Sequence, residues 1–175
     1  QSRSSAASDV YKRQIHTDLW MPIKQGSDPF LAMSFVNVII EEKLYRPEFM
    51  KEQTDLPMLV RTDNGKLLRE SDFVEGGSEE VFYHWDLNTN QAVKAKGSMG
   101  SDDKDLKLGG VDPALEGEFT VNGIRVTTVF ERVKKEAAKY PPEKTREQTG
   151  LDPDMVRQEA RHLANARKAI IMLGY

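Results

Sequence analysis

Residues 29–45 carry the densest apolar run in the chain, and its polar exceptions are few. Ser34, Asn37 and Glu41 recur at i, i+3 and i+7, one narrow stripe along a helix. Phe30, Leu31, Met33, Phe35, Val36, Val38, Ile39, Ile40 and Leu44 fill most of the remainder. A surface helix shows the reverse, an apolar stripe on a polar cylinder. The spacing therefore predicts a helix over 29–45 that is buried on most of its sides. One small domain can hardly bury such a helix, a first sign of a piece of a larger protein.

Downstream the period changes several times. "RPEFMKEQTD" reads as a short helix entered through Pro47, since proline is tolerated in a first turn. "LPMLVRTDNGKLLRESD" reads as a strand over 58–61, an Asp63-Asn64-Gly65 turn and a return segment. A second strand pair is expected at 81–86 and 92–95 around Asn88-Thr89-Asn90. In its first member Tyr83 and Trp85 alternate with Phe82 and His84, so one pair should face the core and the other a cover supplied by the parent protein. Residues 96–115 are rich in Gly, Asp and Lys and read as a long loop. "EFTVNGIRVTTVF" is the cleanest hairpin, turning at Asn122-Gly123. The last third reads as three helices: one over 128–139, one in "PPEKTREQTG" stopping at Gly150, and one capped by Asp152 with Pro153 at its first position. Met155, Val156, Ala160, Leu163 and Ala164 keep helical spacing in the third. "KAIIMLGY" then gives a short continuous apolar run, the pattern of a buried parallel strand. The fold class expected is α/β: helices with short β-hairpins and a C-terminal buried parallel strand.

Residues 1–14, "QSRSSAASDVYKRQ", have neither periodicity nor an apolar face and resemble translated adapter sequence. They are expected to be a non-native, disordered tail and are set aside. Residues 15–175 are then one partial α/β region, with a β-hairpin and loop insertion at about 56–127.

Composition narrows the chemistry. The chain has 175 residues, a net charge of −3 and 25 basic residues scattered among 28 acids, which supplies no field for nucleic acid or an anionic membrane. No apolar run approaches the roughly 20 residues of a membrane span, so no direct membrane insertion is expected. Cysteine is absent, which removes disulfides, thiolate zinc sites and iron–sulfur ligation from this segment. His16, His84 and His162 are isolated, so they read as surface or structural residues rather than metal ligands. Asp102, Asp103 and Asp105 lack the spacing of a calcium loop. Arg69 and Glu70 read as a structural ion pair or solvated charges, and Trp20 as packing beside the Gly-Ser-Asp turn.

That turn, "KQGSDP", allows two readings. Ser27 or Asp28 before Pro29 is an ordinary N-cap, contributing about 1 kcal/mol. Alternatively, Gly26 permits close backbone approach by a ligand, and the helix N-terminus offers free N–H groups and partial positive charge. The paired acceptor oxygens of Asp28 are complementary to adjacent donors such as the N1 and N2 edge of guanine. Ser27 can donate to a neighbouring oxygen. The local residues leave both readings open.

The stretch "DLWMPIKQGSDPFLAMSFVNVIIEEKLYRPEFMKEQTDLPMLVRTDNGKLLRESD" resembles the catalytic subunits of the dimethyl sulfoxide reductase family of molybdenum enzymes. That family has Pro-Gly-Thr/Ser-Asp before a helix, then Ile-Ile-x-Glu-x-Leu-Tyr. In its respiratory nitrate reductase group the motif is Lys-Gln-Gly-Thr-Asp, which Lys24 to Asp28 match except for Ser27. "TDLPMLVR", "LLRESD" and "FYHWDLNT" resemble the branch of nitrate, selenate and chlorate reductases and of dimethyl sulfide and ethylbenzene dehydrogenases. "YPPEKTREQTGLDPDMVRQEARHLANARKAIIMLGY" looks like the family's later helix pair. The similarity runs from about His16 to Tyr175.

The resemblance implies that Gly26, Ser27 and Asp28 contact one molybdopterin guanine dinucleotide, with Gln25 beside them and Gly174 at the lip of a later cofactor loop. It implies a molybdenum bis(molybdopterin guanine dinucleotide) cofactor and a 4Fe-4S cluster whose ligands lie upstream, as does the molybdenum ligand. No catalytic residue and no metal ligand is therefore assigned here. The implied activity is oxygen-atom transfer or hydroxylation of a small-molecule substrate. The implied partners are an iron–sulfur electron-transfer subunit and a haem b membrane anchor, placing the protein in the periplasm or on the membrane through those partners. The competing reading is a non-catalytic α/β binding or adaptor module in which Gly-Ser-Asp-Pro only caps a helix.

Overall fold

The computed structural model describes residues 19–95, 108–169 and 171. The expected tail at 1–14, His16, the acidic loop residues Asp102, Asp103 and Asp105, and Gly174 lie outside them. Helices and antiparallel strands segregate into two layers. The helical layer holds α1 (Asp28–Glu41), α2 (Pro47–Gln53), α3 (Val129–Ala137), α4 (Pro142–Thr149) and α5 (Pro153–Asn165). The strands are β1 (Leu59–Arg61), β2 (Tyr83–Asp86), β3 (Gln91–Lys94), β4 (Glu118–Val121) and β5 (Ile124–Thr128).

The chain enters and leaves the strand region at one point. Phe130 N donates to Leu56 O at 2.9 Å and Val129 N to Met58 O at 2.9 Å. Between those points β1, β5 and β4 form a three-stranded sheet, and β2 and β3 a hairpin. Isolated bridges such as Met58 to His84 and Arg69 to Phe82 join the two. The expected Asn122-Gly123 turn is present, with φ of 47° and 84°. Left-handed backbone at both central residues is what a type I′ hairpin turn demands. Leu59, Leu68, Val81, Tyr83, Val121 and Val126 form the sheet core, and Trp85 stacks on Phe119 with ring centroids 4.5 Å apart. A second core joins the layers: Met50, Leu115 and Phe130, with Tyr45 edge-on to Phe130.

One expectation about the strands changes, the charges of Arg69 and Glu70 find partners other than each other, and the expected terminal strand lies mostly outside the described residues. Tyr83 and His84, neighbours in β2, are both buried, because this strand is covered on both faces and the alternation of a half-exposed strand does not apply. Glu70 pairs with Lys94 at 2.6 Å and Arg69 lies 3.6 Å from Glu79, so Arg69 and Glu70 do not pair with each other. Of the expected terminal strand, only Lys168, Ala169 and Ile171 are described, and these are exposed and unpaired in any sheet. Every strand pair among the described residues is antiparallel.

The helix ends follow local chemistry with one exception. Thr128 Oγ1 accepts from Glu131 N at 3.1 Å to cap α3, while its hydroxyl donates to Leu115 O. Asp152 caps α5 by accepting from Asp154 N at 2.8 Å. Gly150 ends α4 in the left-handed region, φ 77°. The exception is α1, which stops at Glu41 rather than at 45. Lys43 takes φ 53°, with Leu44 N donating to Ile39 O at 2.9 Å and Lys43 N to Ile40 O at 3.2 Å. That bond pair is the Schellman motif, usually closed by glycine.

Helix α1 packs on α3, α4 and α5, and it does so through the polar stripe. Ser34 and Asn37 are buried, and Ser34 Oγ meets Thr145 Oγ1 of α4 at 2.6 Å. The apolar residues flanking the stripe are half-buried, apart from the buried Val38. Small polar side chains let the neighbouring helices approach closely. Thr145 supplies the partner that Ser34 requires, while Asn37 Nδ2 donates to Glu41 Oε1 at 3.3 Å and its buried Oδ1 has no partner among the described residues.

Candidate functional site

The turn ahead of α1 is built by residues 24–27. Ser27 N donates to Lys24 O at 3.1 Å, and Gly26, third in the turn, has φ 78°. Positive φ at that position is the requirement of a type II turn, which glycine meets without strain. Ser27 is buried and its Oγ also donates to Lys24 O, at 2.6 Å. Two donors on one carbonyl lock the turn from the inside.

The turn rests on the carboxyl end of α4. Lys24 N donates to Thr149 O at 3.0 Å, and Lys24 Nζ to Glu147 O at 2.7 Å. The aliphatic stem of Lys24 lies over Gly150, where an added Cβ would come within 3.4 Å of Cε. The seam continues inward: Thr149 Oγ1 donates to Thr145 O at 2.9 Å, and Thr145 meets Ser34 of α1. Sequence reading missed Lys24 and Thr149; the signal for them was Gly150, which marks a helix end with carbonyls to spare.

Neither Ser27 nor Asp28 caps α1 through its side chain, which overturns the capping expectation. The first helical N–H groups are met by the backbone, since Phe30 N and Leu31 N both donate to Ser27 O, at 3.0 and 3.2 Å. Pro29 has no N–H. Asp28 is exposed, and its carboxylate has no hydrogen-bond or ionic partner among the described residues. The space beside Gly26 is open: a Cβ built there meets nothing within 4 Å. The structure thus gathers Gln25, Gly26 and Asp28 on one exposed turn and turns Ser27 inward, its hydroxyl spent on Lys24 rather than offered outward. Trp20, expected to be packed nearby, is 62% exposed, so the described residues leave most of it uncovered.

Other polar groups have structural employment. Asp86 is 2% exposed and accepts from Asn88 N, Thr89 N, Thr89 Oγ1 and Asp112 N. These donors, the Asp112 amide first, hold its carboxyl below the usual range. Burial pushes the His84 imidazole down to about 4, against a weaker opposing pull from Asp55. His162 is exposed and contacts Glu159. An open cleft beside α3 is lined by residues of both signs, and Arg132 spans it to donate to Gly65 O at 3.0 Å. Among the described residues no group of three or more His, Asp or Glu is placed to hold a metal ion, and no helix is long and apolar enough to cross a membrane.

Comparison with known proteins gives consistent relatives. The chain is 67% identical over 171 residues to dimethylsulfide dehydrogenase subunit alpha of Rhodovulum sulfidophilum, covering 98% of this chain and 19% of that one. It is 53% identical to chlorate reductase subunit alpha of Ideonella dechloratans, covering 97% and 18%. It is 35% identical to respiratory nitrate reductase subunit alpha of Haloferax mediterranei, covering 98% and 19%. No family model matches. The chain spans about a fifth of the length of the curated relatives it matches.

Proposed function

Because the chain belongs to the dimethyl sulfoxide reductase family of molybdenum oxidoreductases, we propose that residues 24–28 cradle the guanine end of a molybdopterin guanine dinucleotide. The observation that carries this reading is the exposed Asp28 carboxylate beside the open face of Gly26, neither of them used in capping the helix. A carboxylate offers two adjacent acceptors, the complement of the N1–H and N2–H donors of guanine. Gly26 gives the base room to approach the backbone, and Gln25 lies at the rim. Ser27 acts from behind, holding the turn's shape. Gly174 is assigned to a second contact on the same cofactor.

The residues present fit such a group: an unpaired acceptor, open space and a turn held from within. In the whole protein the reading extends to a molybdenum centre with two guanine dinucleotides and a 4Fe-4S cluster bound by residues outside this segment. The molybdenum centre, when bound, supplies oxygen-atom and electron transfer. This segment's part is to bind and orient one dinucleotide arm. Electrons would pass to an iron–sulfur subunit and a haem b anchor, in the periplasm or at the membrane. Residues 56–127 fit an insertion, since their two ends meet through the bonds at Leu56 and Met58.

Asp28→Ala in the full-length protein tests the reading. Asp28 makes no cap bond and acts on α1 only as an exposed first-turn charge, so the cofactor-free protein should lose only about 0.5 kcal/mol of stability. Guanine nucleotide released by acid from the purified holoprotein should fall sharply. Full nucleotide content together with a loss of about 1 kcal/mol, the magnitude of a lost cap, would return the turn to a purely structural role.

A further inference from the structure

We propose that Lys24 is a positioning residue for the dinucleotide site: its ammonium, anchored on the carboxyl end of α4, fixes the turn that presents Gly26 and Asp28. The inference rests on the reading just given and assigns a role to a residue that reading does not use.

A lysine beside a nucleotide turn is ordinarily read as a charge for phosphate. The geometry here points along the surface to α4 instead, with Lys24 itself exposed. The backbone N–H of Lys24 goes to Thr149 O at 3.0 Å and its ammonium to Glu147 O at 2.7 Å, while its own carbonyl accepts both Ser27 N and Ser27 Oγ. Backbone donor, backbone acceptor and side chain are thus each engaged within the protein. The last carbonyls of α4 have no helical partner and carry the negative end of the helix dipole, so a cation is favourably placed there. The stem of Lys24 runs along Gly150, 3.4 Å (Cε) and 3.6 Å (Cγ) from where a Cβ would stand, which is contact distance; glycine is required at 150 by its φ of 77° rather than by the stem.

The two ends of the turn are tied to one buried seam. On one side Lys24 joins α4; on the other the chain runs directly into α1, whose Ser34 is bonded to Thr145 of that same α4. The distance between the anchor and the head of α1 is set before any ligand arrives. A preset turn loses less conformational freedom on binding, so its ligand is held longer.

The test uses full-length holoprotein carrying Lys24→Met, Lys24→Arg or Asp28→Ala. Two quantities are read: the rate at which acid-releasable guanine nucleotide is lost on dialysis, and hydrogen exchange at the Gly26 and Ser27 amides in cofactor-free protein. Lys24→Met should lose nucleotide about fivefold faster, the worth of one net hydrogen bond, and its turn amides should exchange faster. Lys24→Arg, which keeps a charged donor, should restore both. Asp28→Ala should lose nucleotide with no change in exchange. If Lys24→Met keeps nucleotide while Asp28→Ala loses it, the anchor is refuted and the dinucleotide reading survives. If Asp28→Ala keeps its nucleotide, that reading fails and this inference with it. Lys24→Arg behaving like Lys24→Met would also overturn the anchor. Should Lys24→Met not accumulate, Lys24→Gln takes its place, and a Gln variant indistinguishable from the native protein in both quantities overturns the proposal.

Discussion

His84 can be tested as a buried, neutral imidazole whose cost appears only on acidification. It is 7% exposed, and its Nε2 has no hydrogen-bond partner among the described residues. Burial lowers its folded-state pKa to about 4, and the Asp55 carboxylate does not offset this. In the unfolded chain the same ring protonates near its ordinary value of about 6.5. As pH falls from 7, the unfolded state therefore takes up the proton first and gains on the folded one. Stability falls with pH across this window, by about 3 kcal/mol between 6.5 and 4, and this contribution levels off below the folded value. His84→Leu keeps a similar volume, removes the titrating group and removes the unpaired nitrogen. Urea midpoints of the two proteins should be compared at pH 7, 6, 5 and 4. Every other group titrates in both, so their difference isolates residue 84. The Leu variant should gain on the native protein steadily as pH falls, by about 3 kcal/mol at pH 4. Midpoints that move in parallel across the whole range would refute the buried, uncharged state assigned to this ring.

Gly117 has φ 126°, and a Cβ there would stand 2.7 Å from Phe119 Cζ, so Gly117→Ala must displace the ring stacked on Trp85. A loss of about 2 kcal/mol with altered tryptophan fluorescence is expected; an unchanged melting temperature would count against the packing described. Asp86, whose carboxyl is held low by the Asp112 amide and the Thr89 hydroxyl, contributes stability present above about pH 4 and lost as pH falls through its depressed value. Asp86→Asn should therefore melt earlier than the native protein at pH 7 and converge with it in strong acid, and a gap that stays constant with pH would show that the charge has no role.

Legibility in the sequence tracked the range of the interaction. The Asn122-Gly123 turn, the Asp152-Pro153 start and the Gly150 stop were readable because each is settled within four residues. The end of α1 was not, because Lys43 enters the left-handed region at a cost of about 1 kcal/mol and is held there by bonds from its own amide and that of Leu44. Which side of α1 meets its neighbours was not legible for a different reason. A stripe of Ser34, Asn37 and Glu41 looks like a solvent face until Thr145, far away in sequence, supplies the buried partner. Burial of consecutive residues in β2 was likewise hidden, since it depends on which segments cover the strand rather than on the strand itself. At the turn, Gln25, Gly26, Ser27 and Asp28 were legible as a group, but their division into exposed and inward-facing members was not.

The seating of the turn also joins two of the stretches that resemble the family. "KQGSD" and "YPPEKTREQTG" were separate points of family resemblance, more than a hundred residues apart. In the folded chain the first is seated on the end of the second through Lys24, Glu147 and Thr149. A helix terminus must satisfy its last carbonyls somehow, and here a neighbouring turn does so instead of water. The turn gains rigidity from the same bonds and needs no side-chain cap of its own, which leaves the Asp28 carboxylate free to face outward. The absence of a cap at α1 and the presence of a lysine on α4 are therefore one arrangement: the docking of the turn is what makes an uncapped, ligand-facing helix start stable.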